Sequence, residues 1–288
     1  MKQRRIAMLI CLVVVALFTV KVVGYASALF DAVQAEDVEG TKALIAQGVN
    51  VNERTEGITA LMIAASSNQS PQIIEVLIEA GTKINRRDSS KQTALMYAAN
   101  LNENPEIIRA LMRGGAEVNA RGIKGWTPLM YAVQSQESTL VIEALLDAGS
   151  DVNLRDSQDR TPLMLATKHN DNPRIIELLI AGGARVNTRD PYGRGALRYA
   201  AENNGNPQIA KVLIEAGAIV DARDLEGQTP LMYAAGFNAN PQVVQVLLDM
   251  GADPSAQTNS GEAAFDYAQD NLRIINTEVY WLLHDARF

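Results

Sequence analysis

Apolar and polar positions along most of the chain follow one pattern that returns every 34 residues. Seven aligned segments read TALMIAA, TALMYAA, TPLMYAV, TPLMLAT, GALRYAA, TPLMYAA and AAFDYAQ. They begin at Thr59, Thr93, Thr127, Thr161, Gly195, Thr229 and Ala263, and these residues define repeats one to seven. An apolar stretch follows each of the first six segments and carries an invariant leucine: Leu77, Leu111, Leu145, Leu179, Leu213 and Leu247. A period of this length predicts a solenoid, in which similar units stack in a row.

Within one repeat the pattern predicts two helices and a connecting loop. Threonine, often followed by proline, opens the first helix, because its hydroxyl caps free amides and proline fits the first turn. An Asn-x-Asn-Pro turn then leads into the second helix in four repeats, as at Asn102 to Pro105. A glycine ends the second helix, since glycine takes the left-handed cap without strain. An Asp-x-x-Gly segment such as Asp190 to Gly193 turns the chain into the next repeat.

The period alone leaves two repeat families open. Tetratricopeptide repeats also have 34 residues, but they lack the extended Val-Asn-x-Arg-Asp-x-x-Gly connector found here. The residues resemble ankyrin repeats instead, with T-P-L-x-x-A-A opening the first helix and A-x-V-N after the glycine. The usual ankyrin period is 33, and the extra residue falls in the Asn-x-Asn-Pro turn. The resemblance implies an all-α fold: an ankyrin-repeat solenoid of helix-turn-helix units joined by β-hairpin-like loops, with capping units at both ends.

One departure from the ankyrin pattern changes what the first helices should bury. The histidine of the family's T-P-L-H is methionine in five repeats, at Met62, Met96, Met130, Met164 and Met232. The hydrogen bonds of that histidine should therefore be missing, and methionine should fill its volume with apolar atoms.

The repeats define the expected domain boundaries. We assign residues 29–288 to the ankyrin repeat domain, with an amino-terminal cap at 29–54, repeats from about 55 to 257 and a carboxyl-terminal cap at 258–288. Leu29 to Gly48 predicts two short helices. In the last cap, Tyr280 and Trp281 are expected to pack over the final repeat. Solenoids need such ends because each repeat buries its apolar face only on its neighbours.

Residues 1–28 differ from all that follows. A cationic start, an apolar run from Ile6 to Val20 broken by Thr19, and Ala26-Ser27-Ala28 indicate a secretory signal peptide of bacterial type, cleaved after Ala28. The alternative is a signal anchor, in which residues 6–23 stay in the membrane. The first interpretation predicts a periplasmic or secreted protein, and the second an inner-membrane protein facing the periplasm. The single cysteine, Cys11, lies in this segment, so the repeats are thiol-free.

Composition argues against several functions. The formal net charge of -7 disfavours nucleic-acid binding, which needs a basic face. One cysteine and two histidines leave little for a metal site, and no phosphate-binding loop, nucleophile elbow or calcium loop occurs. We therefore expect that the protein is not an enzyme and that it has no catalytic residue, cofactor or metal. His169 should be an exposed surface histidine, and the repeated arginines and aspartates should form a ladder that supports the hairpins.

The ankyrin resemblance places function on the concave surface, which hairpin tips and the exposed ends of the first helices form. The candidate partner-binding residues are Leu101, Ile123, Trp126, Arg160, Tyr192, Arg194, Leu225 and Phe237. Aromatic residues and arginine are enriched at binding hot spots, although single exposed apolar residues are also normal on any surface. The sequence thus predicts a non-enzymatic scaffold that binds a partner protein in the periplasm. The alternatives are a scaffold tethered to the membrane through residues 6–23 and a secreted effector acting on a host protein.

Overall fold

The computed structural model describes residues 25–67, 70–135 and 138–286. These residues form paired helices without a β-strand; the bridge between Thr55 and Ile58 is isolated. The helices are Tyr25–Gln34, Val38–Ala46, Ala60–Ser67, Pro71–Glu79, Ala94–Leu101, Pro105–Arg113, Pro128–Ser135, Thr139–Asp147, Pro162–His169, Pro173–Ala181, Ala196–Asn203, Pro207–Glu215, Pro230–Phe237, Pro241–Asp249, Ala264–Ala268 and Glu278–Asp285. The predicted all-α solenoid is confirmed.

The helices pack in two layers. Each first helix contacts the first helix of the next repeat, and each second helix contacts the next second helix. A small residue at one position of the first helices allows the close approach, and this column is buried throughout: Ala64, Ala98, Ala132, Ala166, Ala200, Ala234 and Ala268. The invariant leucines of the second helices are fully buried as well. The core is therefore a thin continuous layer between the two rows of helices.

The expected caps hold the helix ends. The Thr93 hydroxyl accepts a hydrogen bond from the Met96 amide at 3.4 Å. The Asn104 side chain accepts one from the Glu106 amide at 3.0 Å, and Pro105 occupies the first turn of that helix. The glycine after each second helix is left-handed, with φ of 81° at Gly81, which glycine tolerates best.

The methionine column lies in the core, as predicted. All five methionines are at most 1% exposed: Met62, Met96, Met130, Met164 and Met232. The apolar volume of the thioether replaces the polar ring that the family pattern would place there. Repeats five and seven are the exceptions, because Arg198 and Asp266 occupy this position.

Two polar ladders connect successive repeats. Arg87 Nη1 donates to the carbonyl of Arg121 at 3.0 Å, and the same bond recurs along the arginine column. A second ladder uses asparagine: Asn85 donates to the Gly115 carbonyl at 3.1 Å and accepts from the Glu117 amide at 2.8 Å. The predicted arginine ladder is confirmed. The hairpin aspartates do not pair with it: they accept from their own hairpins, from tyrosines of the first helices and, at Asp156, from Trp126 of the preceding repeat.

The two ends differ in detail from expectation. The first helix begins at Tyr25, so the cleavage point predicted after Ala28 lies within its first turn. The rest of the predicted signal or anchor, residues 1–24, lies outside the described residues. At the other end the Tyr280 ring packs 5.2 Å from Phe265, as expected. Trp281 does not cover the last repeat. Its ring contacts Tyr280 and His284 of its own helix, and the residue stays 51% exposed.

Across residues 25–67, 70–135 and 138–286, no helix combines the length and apolar character that a bilayer crossing requires.

Candidate functional site

Hairpin tips and first helices form one continuous surface, which we call the hairpin face. The tips are joined across repeats, since the Leu225 amide donates to the Tyr192 carbonyl at 3.1 Å. The first helix is joined to its own tip, since the Tyr233 hydroxyl donates to Asp224 Oδ2 at 2.7 Å. Side chains from the tips and from the ends of the first helices therefore lie on the same side of the solenoid.

Five of the eight predicted partner-binding residues are exposed on this face. Their exposed fractions range from 42% to 69%: Leu101, Ile123, Tyr192, Leu225 and Phe237. The predicted exposure is thus confirmed for these five residues. Tyr192, Leu225 and Phe237 come from three consecutive repeats, four, five and six.

Trp126 was predicted to be exposed, and this is wrong. The residue is 6% exposed, and its indole nitrogen donates to Asp156 Oδ2 at 3.1 Å. Gly122 takes the position of the hairpin aspartate in this repeat, so the indole finds its acceptor in the next one. An edge contact with the Tyr131 ring, 5.2 Å between centroids, completes its packing.

Arg160 is also less available than predicted. Its side chain is 15% exposed, and both Nε and Nη2 bind Asp156 Oδ2, at 2.9 and 2.7 Å. The Asp156 side chain is fully buried and accepts backbone amides from its own hairpin through Oδ1. Arg160 therefore compensates a buried carboxylate and is not a free contact residue.

The remaining candidate, Arg194, belongs to a cluster of stacked aromatic and arginine side chains. The guanidinium lies 4.4 Å from the Tyr192 ring centre and 5.4 Å from that of Tyr199. Arg198 follows, 5.3 Å from Tyr199 and 3.8 Å from Tyr233. The series ends at Phe237, whose centroid is 6.0 Å from that of Tyr233. We call these residues the aromatic–arginine cluster: Tyr192, Arg194, Arg198, Tyr199, Tyr233 and Phe237.

Sequence reasoning missed Arg198, which connects the two halves of the cluster. It is 9% exposed, and its charge is balanced by Glu202 at 2.6 Å. Its Nε has no hydrogen-bond partner among the described residues. The signal was present in the sequence, because an arginine replaces the methionine of T-P-L-M in repeat five alone among the first six repeats.

Two tyrosines of the cluster, Tyr199 and Tyr233, stay neutral over a wide pH range. Burial and the hydrogen bond to Asp190 raise the pKa of Tyr199 to about 12. Burial also raises the pKa of Tyr233 to about 12, against the opposing effect of Arg198. Both hydroxyls therefore remain donors, and they fix the rings against the aspartates of the hairpins.

His169 lies on the surface, as predicted. Partial burial removes some of the hydration of the ring, and Lys168 and Arg160 add positive charge nearby. Together these effects lower the pKa of His169 to about 4. Within the described ranges no group of three or more His, Cys, Asp or Glu side chains could hold a metal ion.

Comparison with known proteins places this architecture in a family. A family model described as ankyrin repeats in three copies matches residues 29–122, 66–156, 95–190, 129–224, 163–258 and 197–283. The crystal structure of the ankyrin repeat domain of Bcl-3, a member of the IkappaB protein family, is similar with a TM-score of 0.65 and 26% identity, over 77% of this chain and 97% of that one. No curated protein matched the sequence. The chain belongs to the ankyrin repeat family, whose repeats mediate protein–protein interaction.

Proposed function

We propose that this chain is a non-enzymatic scaffold that binds a partner protein through its hairpin face, which is concave in ankyrin solenoids. The observation that carries the proposal is the exposure of Tyr192, Leu225 and Phe237 at neighbouring repeats. Their exposed fractions are 62%, 69% and 60%, and large apolar side chains exposed on successive repeats are typical of a protein-binding surface.

The support beneath these residues favours binding. Phe237 rests on Tyr233, which Asp224 holds in place, and Tyr192 rests on Arg194, which Asp190 holds. Side chains fixed in this way lose little freedom when a partner binds, so less of the contact energy is spent on ordering them. Aromatic anchors of this type are enriched at the energetic centre of protein interfaces.

Replacing Tyr192 and Phe237 together with alanine in the full chain tests the site. Proteins that co-purify with the wild type would be quantified by mass spectrometry beside those retained by the variant. We expect the specific partners to be lost. The control variant replaces Leu140 and Leu282, which are 52% and 44% exposed on a second helix and on the terminal helix. It should retain the partners, and unchanged retention by the Tyr192 and Phe237 variant would refute the assignment.

We further propose that the protein is exported to the periplasm. The support is the cationic start, apolar run and small-residue end of residues 1–28. Cleavage after Ala28 would leave Leu29, Phe30 and Val33, which are buried in the amino-terminal cap. Sequencing the amino terminus of the mature protein tests this. A start at Leu29 supports a released protein, and an intact terminus in the membrane fraction supports the tethered scaffold.

A further inference from the structure

Two arginines in equivalent hairpins bind their aspartates differently. Each follows the hairpin aspartate by four residues. Arg160 binds Asp156 through both Nε and Nη2, whereas Arg194 binds Asp190 through Nε only, at 2.7 Å. Among the residues that the structure describes, neither terminal amino group of Arg194 has a hydrogen-bond partner. Both terminal amino groups of Arg194 are therefore available to donate hydrogen bonds to a ligand.

A tyrosine distinguishes the surroundings of the two aspartates. The Tyr199 hydroxyl donates to Asp190 Oδ2 at 2.7 Å, on the same oxygen that accepts Arg194 Nε. One repeat earlier the position equivalent to Tyr199 is Leu165, which has no hydroxyl, and Asp156 Oδ2 accepts from Arg160 Nη2 and from Trp126 Nε1. Asp190 Oδ1 is already used by two backbone amides of its hairpin. Occupancy of the oxygen alone does not exclude Nη2, since Asp156 Oδ2 binds three donors; what accompanies the unbound Nη2 of Arg194 is a hydroxyl that comes from the first helix, at Tyr199.

The free edge of Arg194 is held in a fixed plane. Nε is tied to Asp190, and the guanidinium stacks 4.4 Å from the exposed Tyr192 ring. The side chain is 28% exposed, so the stacked group still reaches solvent. Two parallel donors on a planar, oriented guanidinium match the two oxygens of a carboxylate.

The surroundings define what kind of anion fits. The Tyr192 ring stacked on this guanidinium is exposed, and the exposed Leu225 lies in the next hairpin tip, whose backbone is joined to that of Tyr192 by a hydrogen bond. The charges of Arg194 and Arg198 are each balanced by an acidic partner, and Glu226 follows Leu225 in the neighbouring tip. Such a site tolerates one added negative charge and disfavours a dianion or a polyanion.

We infer that Arg194 is a receptor for a single carboxylate of the partner protein: an aspartate or glutamate side chain next to a large apolar residue. The carboxylate would accept from both terminal amino groups of Arg194, and the apolar residue would cover Tyr192 and Leu225. The inference deepens the proposed function and rests on it.

Selection from a random peptide library displayed on phage tests the inference without a known partner. The full-length chain, Arg194→Gln and Tyr199→Phe would be the targets in parallel. On the wild type we expect enriched peptides with an acidic residue adjacent to a large apolar one. Arg194→Gln should retain the apolar preference and lose the acidic one. Tyr199→Phe should lose the acidic preference too, because Nη2 can then turn to Asp190, although Arg194 is still present.

A defined measurement follows the selection. For an enriched peptide, replacing its acidic residue with the neutral amide should weaken binding to the wild type by about tenfold and leave binding to Arg194→Gln unchanged. Arg174→Gln removes the same charge from an exposed second helix and should behave as the wild type. Thermal unfolding of each variant verifies that it is folded.

The outcomes separate the inference from the proposed function. Enriched peptides without an acidic preference, or with a preference that survives Arg194→Gln, would overturn the carboxylate receptor and leave the binding face standing. If no peptide is enriched on the wild type, both the binding face and the receptor are rejected. Enrichment of peptides with several consecutive acidic residues would also contradict a site for one carboxylate.

Discussion

The Arg198 guanidinium lies 3.8 Å from the centre of the Tyr233 ring, so an arginine of repeat five supports an aromatic ring of repeat six. The same arginine pairs with Glu202 at 2.6 Å within its own helix. It stands where five other repeats bury a methionine. Burial removes the hydration of this charge, and the ion pair with Glu202 and the contact with the Tyr233 ring offset only part of that cost in free energy.

Replacing Arg198 with methionine restores the column of the other repeats. We expect the free energy of unfolding to stay unchanged or to rise by about 1–3 kcal/mol, because a well-packed apolar residue often outperforms a buried ion pair. The Glu202 side chain, which is 27% exposed, can turn to water after the change. Urea denaturation measures the effect. Binding through Phe237 should weaken, because Tyr233 loses its support.

Glu202→Gln is the complementary substitution, because it removes the acidic partner and keeps the arginine. It leaves the arginine buried without a charged partner and should lower the free energy of unfolding by about 1–3 kcal/mol. A strongly destabilised Arg198→Met together with a neutral Glu202→Gln would contradict this account.

His169 predicts a pH dependence with a definite sign. Its pKa in the folded protein is about 4, below the value of about 6.5 for a free histidine. Between these values the unfolded chain binds more protons than the folded one, so stability should fall as the pH drops from about 6.5 to 4 and level off below. Proton NMR of the imidazole should show a midpoint well below 6.5.

The control for this prediction is His169→Gln, which should flatten that part of the stability profile measured by denaturation. A ring that titrates at or above 6.5, or a profile unchanged by the substitution, would show that the surroundings of His169 do not disfavour its charged form.

Substitutions at two glycines distinguish the effect of backbone strain from the effect of steric crowding. A Cβ at Gly183 or Gly205 would meet no atom within 4 Å, but Gly183 has a φ of 90° and Gly205 is not left-handed. Gly183→Ala should therefore cost about 1–2 kcal/mol in stability. Gly205→Ala should be neutral or slightly stabilising, because alanine restricts the unfolded chain. Thermal unfolding compares the two, and equal effects would contradict the assigned role of the left-handed cap.

The asparagine ladder is incomplete at its last step. Asn187 donates to the Gly217 carbonyl at 2.8 Å, but Asp221, one repeat later, has no hydrogen to donate to Gly251. Asp221 only accepts, from the Asp253 amide at 3.1 Å. Asp221→Asn should add about 0.5–1.5 kcal/mol to the free energy of unfolding by completing the pair.

Asp270→Asn removes the same charge from an exposed position and serves as the control. If both substitutions stabilise equally, the gain comes from net charge and the ladder does not explain it.

The fold was predictable because every repeat records the same physical requirements. Threonine and asparagine caps, buried leucine and alanine columns and left-handed glycines recur in the same register from repeat to repeat. An ambiguous assignment in one repeat can therefore be settled by comparison with the others. Residues outside the columns carry no such redundancy. The first helix starts at Tyr25 and Trp281 stays exposed, and neither follows from a repeated pattern.

The candidate site was predictable only in part for the same reason. Exposure of Ile123, Tyr192, Leu225 and Phe237 follows from their place in the repeat. The burial of Trp126 depends on a neighbouring repeat that offers Asp156 as acceptor, and on Gly122 in its own hairpin. Such pairwise relations across repeats are not visible in a single column of the alignment.

The arginine ladder has a direction. Arg87 donates to Arg121, and Arg155 to Arg189, so each repeat gives one hydrogen bond forward and receives one from behind. A duplicated or deleted block of 34 residues would join the flanking repeats through the same donor and acceptor. The solenoid can therefore be lengthened or shortened by whole repeats without leaving a hairpin unsupported.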